Sequence, residues 1–404
     1  MRRRAPDPLP RFLLHSAFLA AFAAGGHQAA VGQADTTRHG WPVAPFNLTH
    51  IITGTFCEFR NTLTADHFHN GVDIPMPDGS PVYPVYDGVV TAVGTIASSG
   101  DNAYVRVRYT VSGFNKSDAY VHIAPNPLLQ TGDSVWAHTT VLGNILTGLG
   151  HVHFTHGLSG SEMNGIRPVG GLTPYLDSYP PEIVSVGFYV DGTETAFPAG
   201  RVSGPVDIRV HVRETNAADP SGLYSSTTNN GTYIAGYRVL AADGSSVAYE
   251  PPSGGVRYRF DRKPVDADVH SVFANGSDLS THIYTITNGG GADAVNTSRR
   301  VGNGFWDAGA LPPGPYRVVV WAEDTRGLRD SAVVNLTVQA SDAVPPAPPV
   351  LMAVTNAGED SVRIRWKAGT EPDLAGYRLY FTLNGVSWVL KADEHTLGPS
   401  AASV

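Results

Sequence analysis

The chain is 404 residues long and carries a formal net charge of −8, from 28 Lys and Arg against 36 Asp and Glu. That length suits two or three domains, and the acidic balance argues against nucleic acid, whose binding is driven by Lys and Arg. The single cysteine, Cys57, excludes an internal disulfide, so the fold must rest on its core or on a metal.

The chain begins with a basic Arg2-Arg3-Arg4, followed by an apolar run from Phe12-Leu13-Leu14 to Phe22-Ala23-Ala24 that is broken by His15 and Ser16. Small residues then lead to Gly32-Gln33-Ala34. This order predicts a secretory signal peptide over 1–34, since the run is too short for a comfortable membrane anchor. No later stretch is apolar enough to cross a bilayer. The mature protein is therefore expected to be soluble and outside the cytoplasm: periplasmic, held at the cell envelope, or secreted. Losing residues 1–34, with four arginines and Asp7, takes the formal charge from −8 to −11.

Residues 42–176 read as short strands and glycine turns, and an antiparallel β domain is predicted there. Cys57 reads as a small buried residue. His67-Phe68-His69-Asn70-Gly71-Val72-Asp73-Ile74 sets a histidine and a carboxylate four residues apart. Gly71, Val72, Ile74 and Pro75 disfavour helix. A loop feeding a short strand is predicted instead, with Asp73 on one face and Val72 and Ile74 buried on the other. Zinc takes imidazole nitrogen and carboxylate oxygen, and a catalytic zinc needs three protein ligands and one open position. His69 and Asp73 would supply two of the three.

Further along, Pro81-Val82-Tyr83-Pro84-Val85-Tyr86, Asp87-Gly88 and Val89-Val90-Thr91-Ala92-Val93 read as strand, tight turn and strand. Tyr104-Val105-Arg106-Val107-Arg108-Tyr109 alternates as a strand with one wet face should. Ala119-Tyr120-Val121-His122-Ile123 is an apolar strand-like run carrying one histidine. Gly148-Leu149-Gly150-His151-Val152-His153-Phe154 is a glycine turn entering a strand, where His151 and His153 share a face. Two imidazoles side by side are of no use to a core, and they point to a metal or acid–base site.

In this order, His69-x-x-x-Asp73, Gly79-Ser80-Pro81-Val82-Tyr83, Asp87-Gly88-Val89-Val90, Tyr120-x-His122-Ile123 and Gly150-His151-x-His153-Phe154 resemble the lysostaphin/LytM-type zinc metallopeptidases. These are peptidoglycan endopeptidases, and the resemblance covers roughly residues 50–176. It implies zinc ligands at His69, Asp73 and His153, and catalytic histidines at His122 and His151, without saying which of the two is the base. The segment Gly54-Thr55-Phe56-Cys57-Glu58-Phe59-Arg60 resembles the family's lead-in, with Cys57 in place of a usual glycine. Thr155 stands where a glutamate often follows, and neither departure falls on a ligand position. His67 and His156 read as bystanders.

Tyr179-Pro180-Pro181 marks a break. Residues 180–340 then give strand-like runs at 206–212, 234–239 and 316–322, fitting a β-sandwich, and Pro313-Gly314-Pro315-Tyr316 and Glu323-Asp324-Thr325-Arg326-Gly327 resemble the late-strand turns of immunoglobulin-like domains. His211, His270 and His282 show no ligand spacing and read as ordinary surface or strand histidines. A second proline linker, Val344-Pro345-Pro346-Ala347-Pro348-Pro349, opens residues 345–404. There, Ser361-Val362-Arg363-Ile364-Arg365-Trp366 and Gly376-Tyr377-Arg378-Leu379-Tyr380 resemble the buried-tryptophan strand and its successor in a fibronectin type III domain. That segment is shorter than the roughly 100 residues of a full sandwich, which predicts an incomplete domain.

The whole is expected to be all-β: a small antiparallel metallopeptidase sheet followed by β-sandwiches. The expected function is an exported zinc endopeptidase that cuts peptidoglycan peptides. The alternative is a non-cleaving wall-binding protein of the same fold that activates another hydrolase.

Overall fold

Apolar and polar residues alternating with period two build an antiparallel sheet in the first half of the chain. The computed structural model describes residues 39–62, 65–216, 230–289, 299–340, 347–358, 361–371, 374–394 and 396–404. The expected signal peptide and the first residues of the second proline linker lie outside these. The sheet contains β1 (Val72–Pro75), β2 (Gly88–Gly94), β3 (Tyr104–Val111), β4 (Phe114–Val121), β5 (Ser134–Val135) and β6 (His151–His156). Its strand order is β1-β6-β4-β3-β2-β5, with antiparallel pairing throughout. On β3, Val105, Val107, Tyr109 and Val111 are buried while Arg108 and Thr110 face solvent, as the alternation predicts.

Two local expectations fail. Asp87-Gly88 is not a hairpin turn, because Pro81–Val82 pairs with Gly143–Ile145 in a separate three-stranded sheet completed by Ile123–Pro125. The intervening donors are spent elsewhere: Tyr83 N–H on the Pro42 carbonyl and Val85 N–H on the Tyr120 hydroxyl. Asp87 itself accepts from the Ala137 N–H at 2.7 Å. The second failure is at His122, which does not continue a strand. Its φ is +65°, and it turns the chain out of β4 and into Ile123–Pro125 of the other sheet.

The second half builds two sheets. One holds β7 (Glu182–Val190), β8 (Pro205–Arg213) and β10 (His282–Thr285), with Trp306–Asp307 pairing β8. The other places β9 (Ile234–Ala241), β11 (Gly314–Glu323) and β12 (Arg329–Val338) side by side, and Arg201–Val202 runs parallel to β12. The α-helices of the described residues, Ile96–Ser99 and Val269–Val272, have four residues each, so the chain is all-β. No helix among these residues is long and apolar enough to cross a membrane.

One hydrophobic core runs through both halves. Phe59 and Phe68, just ahead of β1, bring their rings to 5.5 and 5.9 Å from Phe273 of the second half. The Phe68 N–H donates to Asp266 Oδ1 at 3.0 Å, the Asn164 N–H to the Asp261 carbonyl at 2.9 Å, and the Lys263 N–H to the Glu162 carbonyl at 3.1 Å. Each such apolar side chain contributes about 1.5–3 kcal/mol when fully buried. The segments before β1 and after β6 are thus held by the second half. Beyond residue 347, Val350–Gly358 pairs with Ser361–Lys367 and Leu379–Phe381 with Val389–Ala392. Trp366 is buried there against Tyr377, with ring centroids 5.2 Å apart.

Candidate metal centre

Strand register brings the predicted ligands together. β6 lies between β1 and β4, with His153 opposite Asp73 on one side and Val121 on the other. Val72 and Ile74 point into the core, fully buried, which leaves Asp73 on the opposite face. Val152 and Phe154 are buried on β6 in the same way, so His151 and His153 emerge on the Asp73 side. His69 reaches the group from the loop before β1, where its backbone N–H and carbonyl bond to the Glu58 carbonyl and the Cys57 N–H, both at 2.9 Å. Cys57 is buried with φ of +66°, the left-handed conformation that favours glycine.

His69 Nε2, Asp73 Oδ1 and His153 Nδ1 form a triangle with edges of 3.0, 3.2 and 2.9 Å. Ligand atoms around a tetrahedral zinc with bonds of 2.0–2.1 Å stand about 3.3 Å apart. The outer nitrogens decide where the ring protons sit. His69 Nδ1 lies 2.7 Å from the Thr55 carbonyl, which can only accept, so the proton is there and Nε2 presents a lone pair. His153 Nε2 lies 3.0 Å from the Thr155 hydroxyl; donation to it turns the Nδ1 lone pair inward. Two lone pairs and a carboxylate facing one another inside a buried pocket suit a cation, and the donor set of two nitrogens and one oxygen fits zinc.

The electrostatics agree. Burial alone would raise the Asp73 carboxyl, but the His69 and His153 imidazoles set against Oδ1 outweigh it and hold it well below the usual range. Burial pulls His69 and His153 below the ordinary histidine value, partly opposed by Asp73. Both rings therefore stay neutral, as metal ligation requires.

Two more histidines flank the triangle. His151 Nδ1 bonds the Leu149 carbonyl at 2.5 Å, and its Nε2 is 3.7 Å from Asp73 Oδ1. His122 Nδ1 bonds the Asp101 carbonyl at 2.7 Å, with its ring centroid 4.8 Å from His151 and 5.8 Å from His153. Burial, opposed by that carbonyl, lowers the His122 pKa. The left-handed turn at His122 is what swings its ring over the site. All five sequence-predicted residues thus lie in one group.

The other histidines singled out in the sequence lie elsewhere. His67 bonds the Ala65 carbonyl, and His156 is buried between Asp118 and Arg167. His211 is half-buried on β8, His270 is exposed beside Asp66, and His282 is fully buried on β10. Three residues at the centre escaped the sequence reading: Thr55, Arg60 and Thr155. Thr155 was noted as a departure outside the ligand set, yet its hydroxyl touches a ligand ring. The period-two spacing from His153 was the signal available for it.

No family model and no curated protein matches the chain. A solved structure to which it is similar is described as a zinc-containing peptidase from Vibrio cholerae, at 21% identity and a TM-score of 0.26. The match covers 31% of this chain and 39% of that one, so the chain spans about two fifths of that structure's length.

Proposed function

We propose that the chain is a zinc-dependent endopeptidase hydrolysing peptide bonds in bacterial peptidoglycan. The observation that carries this reading is the triangle of His69 Nε2, Asp73 Oδ1 and His153 Nδ1, with edges of 2.9–3.2 Å, beside two further imidazoles. Zinc held there would supply Lewis acidity, polarising a scissile carbonyl and acidifying water. The chain's own residues handle the protons. His151 and His122 each donate Nδ1–H to a carbonyl, which leaves a bare Nε2 that can take a proton and, once it holds one, donate to an oxyanion. Either can act as base, and the imidazolium so formed steadies the developing negative charge. Burial, partly opposed by the Asp101 carbonyl, favours the neutral ring of His122. The substrate class rests on the order of the sequence motifs and on the expected export, both of which suit a wall hydrolase.

The test is peptide release from purified peptidoglycan, read by mass spectrometry. The zinc-loaded chain is compared with a chelated control and with His153→Ala and His151→Ala. Release is expected from the zinc form alone. His153→Ala should lose metal and activity together. His151→Ala should keep its metal while losing about 10²–10⁴-fold in rate. Stoichiometric zinc without release from any wall type would replace this reading with a non-cleaving wall-binding protein.

A further inference from the structure

A carboxylate has two oxygens, and a catalytic site must keep one coordination position open. Asp73 presents Oδ1 to His69 and His153. Its Oδ2 is occupied by Arg60 Nη2 at 2.8 Å, and the same nitrogen lies 2.5 Å from Glu58 Oε1. Glu58 Oε2 accepts from the Thr55 N–H at 2.8 Å and from the Thr55 hydroxyl at 3.0 Å. That hydroxyl also accepts from the Gly231 N–H at 2.7 Å, just ahead of β9 in the second half. Thr55 in addition offers its carbonyl to His69. The arrangement leaves no room for side chains at two glycines. A Cβ at Gly54 would strike both Asp73 Oδ2 and Arg60 Nη2, and one at Gly231 would stand 2.9 Å from Glu58 Cβ.

We infer that Arg60 is a positioning residue that reserves one oxygen of Asp73 for the metal and, through Glu58 and Thr55, anchors that geometry to the turn at Gly231. This rests on the zinc reading above. Without the guanidinium, both Asp73 oxygens are open to the ion, and the position that substrate and water need is crowded. Turnover then falls while substrate affinity stays. A lysine brings a flexible point charge in place of the held Nη2 and restores only part of the effect.

The experiment uses the full chain loaded with cobalt(II), whose visible absorption weakens as coordination number rises. Wild type is expected to bind one cobalt with an intense four-coordinate band. Arg60→Gln should bind cobalt with a band weakened severalfold. Its kcat on peptidoglycan peptides should fall about 10–100-fold at unchanged KM, with Arg60→Lys in between. Glu58→Gln keeps the guanidinium but loosens it, so a smaller change in the same direction is expected there. That variant carries the test if Arg60→Gln does not fold. A wild-type band and wild-type kcat in Arg60→Gln, or in Glu58→Gln where that variant stands in, would overturn the inference alone. A wild type that takes up no cobalt overturns the zinc reading and the inference together.

Discussion

At His153 the nitrogen that faces the ligand triangle is selected by a neighbour two residues on. The Thr155 hydroxyl lies 3.0 Å from Nε2 and can accept its N–H, which favours the tautomer with Nδ1 bare. Thr155→Val keeps the shape and removes the acceptor; it is expected to weaken metal binding about 10–100-fold, while Thr155→Ser stays near wild type. Competition with a chromophoric chelator measures both. At this scale the sequence was legible where side chains follow strand period. His151 and His153 could be placed on one face because the period is two. His122 was misread as strand because its neighbours, Val121 and Ile123, are β-branched, and nothing local announces its positive φ. Arg60 was not legible at all, since its partner Asp73 is 13 residues away and meets it only after the loop has closed.

At the scale of elements, β6 is the strand that joins the others. It pairs with β1 and β4, presents two histidines on one face and buries Val152 and Phe154 on the other. Phe154 lies against Tyr120, with ring centroids 5.6 Å apart. Phe154→Ala is expected to cost about 3–5 kcal/mol, read from the midpoint shift in urea unfolding at constant slope. The turn feeding β6 is set by Asp78, which accepts from the Gly148 and Gly150 N–H groups at 2.7 and 2.9 Å. Those bonds hold the Asp78 carboxyl below its ordinary pKa. The sequence showed the glycines but not the carboxylate that fixes them. Asp87-Gly88 was misread for a related reason. A dipeptide reports what a turn permits, and here Gly88 instead allows close approach to the Arg108 carbonyl.

At the scale of the whole molecule, Asp177, Glu214 and Asp324 bring the stretch after β6, the end of β8 and the turn after β11 together. Burial raises all three carboxyls, Asp177 to about 6. An acid whose pKa is raised on folding is most favourable while protonated. The Asp177 contribution is therefore complete below about pH 4 and is lost as pH rises through about 6. Asp177→Asn should accordingly gain thermal stability relative to wild type above pH 6 and gain none at pH 4, as scanning calorimetry across that range would read. The strand content and the fold class were legible from alternation and turns. The shared core was not, because an apolar residue such as Phe59 does not record which half of the chain will cover it.

That shared core also sets an order of assembly. Thr55 meets Gly231 across 176 residues, and Phe68 meets Asp266 across 198. Contacts so distant in sequence close late and slowly, because long loops must be ordered before any burial rewards them. A chain emerging from its N-terminus exposes His69 and Asp73 early, well before the residues that grip Thr55 and cover Phe59 and Phe68 have been made. The ligands are therefore among the first chemistry-bearing residues to appear and among the last to be aimed.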